Sequence, residues 1–210
     1  MYLPRLQGTG TTETTELLYR QQQNMTTCTP SLPPPSALSD PSLPPSAVTN
    51  ALDLLFEPSP TLHHLAVPII KGASTPFATY ADLIAAVEAQ LKALAANGDT
   101  HQLDSILGSH PRLGEKKVDS ALSRKEQAAM GQQDSAADQA NDFAALNAMY
   151  EQTFPGLRFV TFVNARPRSV IAVELRNRVE RGDIAAERVA AIEAMCAIAN
   201  DRASKLSVAI

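Results

Sequence analysis

The chain is poor in cysteine, aromatic residues and long apolar runs, and each scarcity excludes a class of protein. Its 210 residues include two cysteines, no tryptophan and 5% aromatic side chains. Two cysteines neither frame a disulfide scaffold nor supply a zinc-binding quartet, which fits a reducing compartment. The apolar stretches are broken well before the roughly 20 residues that a bilayer span requires, and the N-terminus has no signal-type apolar run. The sequence therefore favours a soluble protein that is not secreted.

Charge of one sign is also scarce. The chain carries 18 Lys and Arg residues against 22 Asp and Glu residues, a formal net charge of −4, and no segment holds a dense block of either sign. Nothing therefore draws the chain electrostatically to phosphate backbones or anionic lipid. We expect neither nucleic acid nor a membrane surface as a partner.

The motifs of several common chemistries are missing. The nine glycines are scattered singly, and there is no Gly-rich phosphate loop, G-x-S-x-G elbow or H-E-x-x-H zinc motif. No carboxylate cluster accompanies any histidine at a ligand spacing, so we expect no metal site. The histidines are His63, His64, His101 and His110.

Proline is concentrated near the N-terminus, where ten of the 15 prolines fall within the first 60 residues. The stretch from Gly8 to Gln23 is mostly Thr, Gln and Glu, and it cannot bury enough surface to offset its ordering entropy. Residues 1–45 are therefore predicted to form a disordered extension with polyproline character. Such a composition more often indicates a plain flexible tail, and a docking segment for a partner protein is the alternative.

From residue 46 onward the apolar positions recur at helical spacing. Ser46 is predicted to cap a first helix that stops at Pro58 and Pro60. Only Leu157–Val163 is rich in β-branched and aromatic residues, and it fits a short strand, an extended segment or a buried helix start. We predict an all-α fold, a single helical-bundle domain over residues 46–207. The further helices are predicted at 80–96 with a stop at Gly98, 102–107, 123–130, 136–154, 169–181 and 184–206.

The last of these helices has an apolar stripe that indicates which side is buried. Val189, Ile192, Cys196 and Ala199 are predicted to form an inward seam. Glu187, Ala191 and Glu193 are then expected to face outward.

One histidine differs from the other three. His110 precedes Pro111, which forces it out of helical geometry and mounts the imidazole at a helix end, where it could be a simple terminator. Thirteen residues downstream, Ser123 and Glu126 have the spacing of a capping box, which would make both of them structural. Gln127 has no part in such a cap.

These residues, taken in order, resemble a known family. The chain is similar to 2-oxo-4-hydroxy-4-carboxy-5-ureidoimidazoline (OHCU) decarboxylases from about Ser46 to Leu206. Each motif is short, but several in a fixed order on a helical background form a fairly specific match. The motifs are Leu54-Leu55-Phe56-Glu57, His110-Pro111-x-Leu113-Gly114, Ser123-x-x-Glu126-Gln127 and Leu146-Asn147-x-x-Tyr150, leading to Phe154 and Phe159-Val160.

The resemblance implies a fold, a reaction and a set of site residues. It implies an all-α enzyme, commonly a homodimer and without a cofactor, that releases CO2 from the ureidoimidazoline to give S-allantoin in urate degradation. His110 corresponds to the catalytic histidine. Glu126 is placed with it in the catalytic set, and Pro111, Ser123 and Gln127 are expected to bind substrate. The family's arginine is placed at Arg166, with Arg168 and Asn164 as alternatives. Either arginine could instead be a solvated charge in the loop before the predicted helix at residue 169, without a role in binding.

That chemistry suits the residues. Loss of CO2 leaves an electron pair that the neighbouring C=N bond of the ring absorbs, so no metal or organic cofactor is demanded. The protein has to add orientation, polar contacts and a proton-handling group. Histidine, with an unperturbed pKa of about 6.5, is the side chain suited to that task.

Two other functions stay open. The chain could be a noncatalytic helical interaction module with a proline-rich docking tail, or a related carboxyl-group enzyme that uses His110 on another heterocycle. Its compartment is expected to be the cytoplasm, with the peroxisome as the alternative. Ser204-Lys205-Leu206 spells the peroxisomal tripeptide, but four residues follow it and the receptor reads a free C-terminus.

Overall fold

The computed structural model describes residues 30–98, 100–115, 121–128 and 136–206. Three predictions fall at least partly outside these ranges: residues 1–29 of the extension, the helix end at Met130, and the domain end at 207.

Within the described ranges the chain forms helices and no β-strand, which confirms the all-α prediction. A 3₁₀ turn, Pro35–Ser39, precedes the α-helices. These are α1 Pro45–Leu55, α2 Pro60–Lys71, α3 Tyr80–Asn97, α4 Thr100–Leu107, α5 Ala121–Ala128, α6 Ala136–Thr153, α7 Arg168–Arg181 and α8 Ile184–Lys205.

Helix α8 lies at the centre of the bundle, where it packs against α1, α3 and α4, while α6 pairs with α7. Asp183 begins α8 by accepting hydrogen bonds from the amides of residues 185 and 186, which satisfies two of the donors that a helix start leaves free. The predicted seam is right for Ile192, Cys196 and Ala199, all buried. It is wrong for Val189, which is 37% exposed.

Two of the residues predicted to face outward are instead completely buried. Glu187 and Ala191 are both 0% exposed. Glu187 is a carboxylate with neutralising partners, and this permits a position that its charge alone would make very costly. The buried stripe of α8 therefore begins at Glu187, two residues before the start of the predicted seam at Val189.

The helix predicted at 80–96 is confirmed almost to the residue. Thr79 accepts from the amide of Asp82 at 3.2 Å, and the Asp82 carboxylate accepts from the amide of Thr79 at 2.9 Å, so the two form a capping box. Gly98 follows the last turn with φ 77°, a left-handed conformation that glycine adopts without the penalty a Cβ imposes.

The first two helices differ from the prediction. Helix α1 begins at Pro45 with no side-chain cap, so Ser46 lies inside the helix and is not its cap. Pro60 does not only stop α1: it is the first residue of α2, a position at which its missing amide is not needed. Ser59 caps α2 by accepting from the Leu62 amide at 3.3 Å. The sequence prediction missed α2 because its prolines indicated a break.

The folded part also extends further toward the N-terminus than the boundary at residue 46. Leu32 is 0% exposed and Leu38 is 1% exposed, and both belong to the hydrophobic core. The Tyr80 hydroxyl donates to the Pro33 carbonyl at 2.6 Å. The prediction of a disordered extension up to residue 45 is therefore wrong for residues 31–45, because two leucines in this proline-rich stretch pack into the core.

The ambiguous segment Leu157–Val163 is neither helix nor strand, and it joins α6 to α7. Its side chains at 157, 159, 160 and 163 are buried. No helix among the described residues is both long enough and apolar enough to cross a membrane.

Replacing Leu38 by Ala should lower the free energy of unfolding by about 2–5 kcal/mol, because it leaves a cavity in the core. Denaturant unfolding measures this change. The control is Ser36→Ala at an exposed position of the same turn, which should change stability by less than about 0.5 kcal/mol. Equal effects of both substitutions would show that the turn is not part of the folded unit.

Candidate active site

A pocket with an empty volume of about 400 Å³, its open mouth included, lies where the 110–114 loop, α5, α8 and the 157–163 segment meet. Five of the six site residues predicted from the sequence line it: His110, Pro111, Ser123, Glu126 and Gln127. The pocket also has an apolar wall, which consists of Leu113, Phe159, Val160, Val163 and Ile198. Residues far apart in the chain thus converge on one cavity.

His110 lines this pocket and is buried. It is 4% exposed, and its backbone carbonyl accepts a hydrogen bond from Arg158 at 2.9 Å. The Nε2 atom is buried and has no hydrogen-bond partner among the described residues. A buried ring nitrogen without a partner is costly, and it is available to a ligand that enters the pocket.

Burial lowers the pKa of His110 from 6.5 to about 4. The negative charge of Glu57 opposes this shift, while the positive charges of Arg202 and Arg158 add to it. At pH 7 the imidazole is therefore neutral, and one of its two nitrogens can accept a proton.

Arg202 is only 2% exposed and belongs to the polar wall of the pocket, which also contains His110, Ser123, Glu126 and Gln127. Its Nε and Nη2 atoms donate to the two carboxylate oxygens of Glu126 at 2.7 and 2.9 Å. Its Nη2 atom also donates to Glu57 at 2.8 Å, and its Nη1 atom to the Phe56 carbonyl at 3.0 Å. Burial alone would lower the pKa of Arg202, but pairing with Glu126 and Glu57 raises it, so the group stays charged.

Ser123 and Glu126 do not form the capping box that their spacing indicates. Helix α5 begins at Ala121, so Ser123 lies within its first turn. The Ser123 hydroxyl donates to Glu57 at 2.5 Å and accepts from Arg202 at 2.9 Å. Both residues face the pocket because Arg202 binds them there, and the capping explanation is wrong.

Gln127 supports the loop that carries His110. Its Oε1 atom accepts from the Gly114 amide at 3.0 Å, and its Nε2 atom donates to the Arg112 carbonyl at 3.4 Å. Asn147 donates to the Leu113 carbonyl at 2.9 Å. Gly114 has φ 78°, and a Cβ there would lie 3.0 Å from the Cβ of Phe143, so both the turn and the space require glycine.

Arg166, the predicted substrate-binding arginine, does not line the pocket. Its guanidinium binds Glu174 at 2.8 Å, the Thr161 hydroxyl at 2.6 Å and the Phe162 carbonyl. It thereby closes a turn in which Asn164 and Ala165 have φ values of 41° and 56°, an unfavourable conformation for residues with a Cβ. The prediction that Arg166 binds substrate in the pocket is corrected accordingly. Its contacts instead stabilise the turn that contains Asn164 and Ala165.

The two alternatives to Arg166 also lie elsewhere. Asn164 lines a neighbouring pocket of about 490 Å³. The guanidinium of Arg168 lies over the ring of Phe143 at 5.9 Å, a cation–π contact. The arginine that does line the pocket is Arg202.

The sequence prediction missed Arg202 and Glu57, although each had a signal. Arg202 continues the buried stripe of α8, since it follows Ala199 by three residues, and a charged residue on an apolar stripe needs a buried partner. Glu57 directly follows the apolar stretch that ends at Phe56 and is 4% exposed. Neither signal identifies the partner residue, because the partner lies in a distant part of the chain.

The arrangement combines a neutral imidazole, a paired carboxylate and hydrogen-bonding groups in a partly apolar cavity. It can orient a small polar molecule and move a proton at His110 Nε2. In the part of the chain that the structure covers, no group of three or more His, Cys, Asp or Glu side chains could hold a metal ion.

Comparison with known proteins identifies one family. The sequence model described as OHCU decarboxylase matches residues 41–204, a range that includes the site residues named above. No curated protein matches the chain.

The pKa of His110 predicts how stability depends on pH. Its folded value of about 4 lies below the unfolded value of 6.5, so the unfolded chain binds the proton first as the pH falls. This group should therefore lower the free energy of unfolding between about pH 6.5 and pH 4, by about 3 kcal/mol in total, and have no effect above about pH 7.

Denaturant unfolding of the wild type and of His110→Asn over that pH range isolates the effect, because the variant lacks the titrating group. The advantage of the wild type over the variant should shrink toward pH 4. A pH-independent difference between the two would contradict a neutral buried imidazole.

Replacing Arg202 by Met should lower the free energy of unfolding by about 3–5 kcal/mol, because it leaves Glu57 and Glu126 without their cation. A double-mutant cycle with Glu126→Gln measures the coupling between Arg202 and Glu126 by denaturant unfolding. The double variant should be less destabilised than the sum of the single variants. If the effects of the two single substitutions are additive, the coupling free energy between Arg202 and Glu126 is zero.

Proposed function

The chain belongs to the OHCU decarboxylase family, and from that premise we propose that it is a decarboxylase acting on 2-oxo-4-hydroxy-4-carboxy-5-ureidoimidazoline. The product is S-allantoin, and the reaction is the last step of urate degradation. The observation that carries the proposal is the unpartnered Nε2 atom of His110 in a pocket shared with Glu126, Gln127 and Arg202.

The reaction breaks one carbon–carbon bond and moves three protons. The carboxylate leaves as CO2, and its bonding electron pair forms a double bond to the carbon that bears the ureido group. The electrons of the adjacent C=N bond move to the ring nitrogen, which takes up a proton from solvent. The hydroxyl group on the same carbon loses its proton and becomes a carbonyl. The carbon that bears the ureido group is protonated from one face, which creates the single stereocentre of the product.

His110 is the group that handles protons in this scheme. A neutral imidazole, with the pKa of His110 lowered to about 4, can accept the hydroxyl proton at Nε2 and return it. Because the ring is buried and the Arg158 bond fixes its backbone, its position relative to a bound substrate is set before binding. Such preorganisation is the usual source of general acid–base efficiency.

Glu126 and Arg202 form a second, polar contact surface. Arg202 holds both oxygens of Glu126, so this carboxylate has a fixed orientation. It can accept hydrogen bonds from the ring or ureido N–H groups of the substrate. The Gln127 amide and the Ser123 hydroxyl lie in the same pocket and supply further polar contacts.

The apolar wall excludes water from the remaining side of the cavity. Phe159, Val160 and Val163 are each at most 7% exposed. A water-poor site favours conversion of a charged carboxylate into neutral CO2 and prevents protonation from the wrong face. In this scheme a bound substrate contacts both His110 and this apolar wall.

The test is to mix the protein with freshly generated substrate and to follow ultraviolet absorbance and optical rotation together. The proposal predicts faster decay than the spontaneous reaction and one enantiomer of allantoin, whereas the spontaneous reaction gives a racemate. Decay at the spontaneous rate with a racemic product would overturn it and favour the noncatalytic interaction module.

His110→Asn should lower kcat/KM by about 10²–10⁴-fold, since it removes the proton-handling group. The matched control is His101→Asn, the same substitution at an exposed position of α4, which should keep the wild-type rate. Unfolding curves at pH 7 show whether each variant is folded. A His110→Asn variant that keeps most of its activity would remove this residue from the mechanism.

A further inference from the structure

Behind the apolar wall of the pocket lies a second buried charge cluster, formed by α6, α7 and α8. Its centre is Glu187, which is 0% exposed. The carboxylate of Glu187 accepts from the Tyr150 hydroxyl at 2.7 Å, from Arg178 at 3.1 Å and from Arg181 at 2.8 Å. Burial and the adjacent Glu187 charge raise the pKa of Tyr150 far above its usual range, so its hydroxyl remains a donor.

Arg178 connects this cluster to the pocket wall. Its side chain is 12% exposed, and its Nη1 atom donates both to Glu187 and to the Val160 carbonyl, the latter at 2.9 Å. Its guanidinium also lies over the ring of Phe159, 5.0 Å from the centroid. Phe159 and Val160 both line the pocket, whereas Arg178 does not. The guanidinium of Arg178 therefore contacts two consecutive residues of the apolar wall from outside the pocket.

Thr161 follows Val160 in the chain, also lines the pocket, and is bound by the same helix, α7. Its hydroxyl donates to Glu174 at 3.0 Å. Glu174 in turn binds Arg178 at 3.1 Å and Arg166 at 2.8 Å. Residues 159–161 are therefore attached to α7 through polar contacts, in addition to their apolar packing.

These contacts matter because the segment has no secondary structure of its own. Residues 157–163 form neither helix nor strand, so regular backbone hydrogen bonds do not determine their positions. A buried ion pair is weak evidence for stability, since apolar residues of similar size often replace it without loss. An apolar side chain at 178, however, could not donate to the Val160 carbonyl.

We propose that Arg178, anchored by the buried carboxylate of Glu187, is a positioning residue that sets the location of Phe159 and Val160 in the pocket wall. Its effect on turnover rests on the proposed function, because it acts through the surface that the substrate contacts. Its effect on the geometry of the wall does not depend on which reaction the pocket performs.

The test compares Arg178→Lys with a matched control, Arg188→Lys. Arg188 forms an ion pair of similar burial with Asp104, at 2.8 Å and with side chains 13% and 18% exposed. Neither partner lines the pocket. Lysine keeps the charge but not the planar fork, so it cannot reproduce all the contacts of either arginine.

Two readouts are taken on both variants, with thermal unfolding as a check on folding. The first is the methyl NMR spectrum of valine-labelled protein, in which Val160 and Val163 report the wall directly. The second is kcat and KM with the ureidoimidazoline substrate. Arg178→Lys should shift the Val160 methyl signals and lower kcat/KM by about tenfold to a hundredfold, as expected when a substrate-contacting surface moves by about 1 Å.

Arg188→Lys should leave the Val160 signals in place and keep kcat/KM within about twofold of the wild type, whatever its melting temperature. If Arg178→Lys does not fold, Glu174→Gln takes its place, because this carboxylate is more exposed and its loss leaves no charge deeply buried. Glu174→Gln should shift the same signals in the same direction by a smaller amount.

Unchanged Val160 signals in the Arg178→Lys or Glu174→Gln variant would overturn the positioning role, as would equal effects from Arg188→Lys. A wild-type protein that does not turn over the substrate would overturn the proposed function alone. In that case the methyl signals still decide whether Arg178 positions the wall.

Discussion

The buried guanidinium of Arg202 joins three parts of the chain that are remote in sequence. It binds Glu57 after α1, Ser123 and Glu126 on α5, and it is itself part of α8. Removing a charge from water is costly, and only a complete set of partners offsets that cost. The orientation of Glu126 and the position of α5 beside the pocket both depend on this one interaction.

Helix α8 carries a buried charge near each end of its inward stripe, and the two act on different walls of the pocket. Arg202 organises the polar wall directly. Glu187 acts on the apolar wall through Arg178, which contacts Phe159 and Val160 from behind. Between these charges the stripe is apolar and packs against α1 and α3. The central helix of the bundle is therefore also the element to which both walls are attached.

Much of the fold was predictable from local patterns. The helix at 80–96 was found because its apolar stripe and the stop at Gly98 agree, and the structure adds a capping box at the same start. The 110–114 loop was found because proline excludes helical geometry before it. Helix α2 was missed because Pro60 can end one helix or begin the next, and local sequence does not distinguish the two. The anchoring of Leu32 and Leu38 was missed because it depends on a core built from later residues.

The helical class and the position of His110 at a helix end follow from apolar spacing and from Pro111, which are local features of the sequence. The grouping of His110, Glu126 and Gln127 followed from the resemblance to a family. The packing of the helices, in contrast, was needed to place Arg202 and not Arg166 in the pocket, to bind Ser123 to Glu57 instead of at the start of α5, and to bury Glu187. A charged side chain lies where its partners compensate its desolvation, and those partners are determined by how the helices pack.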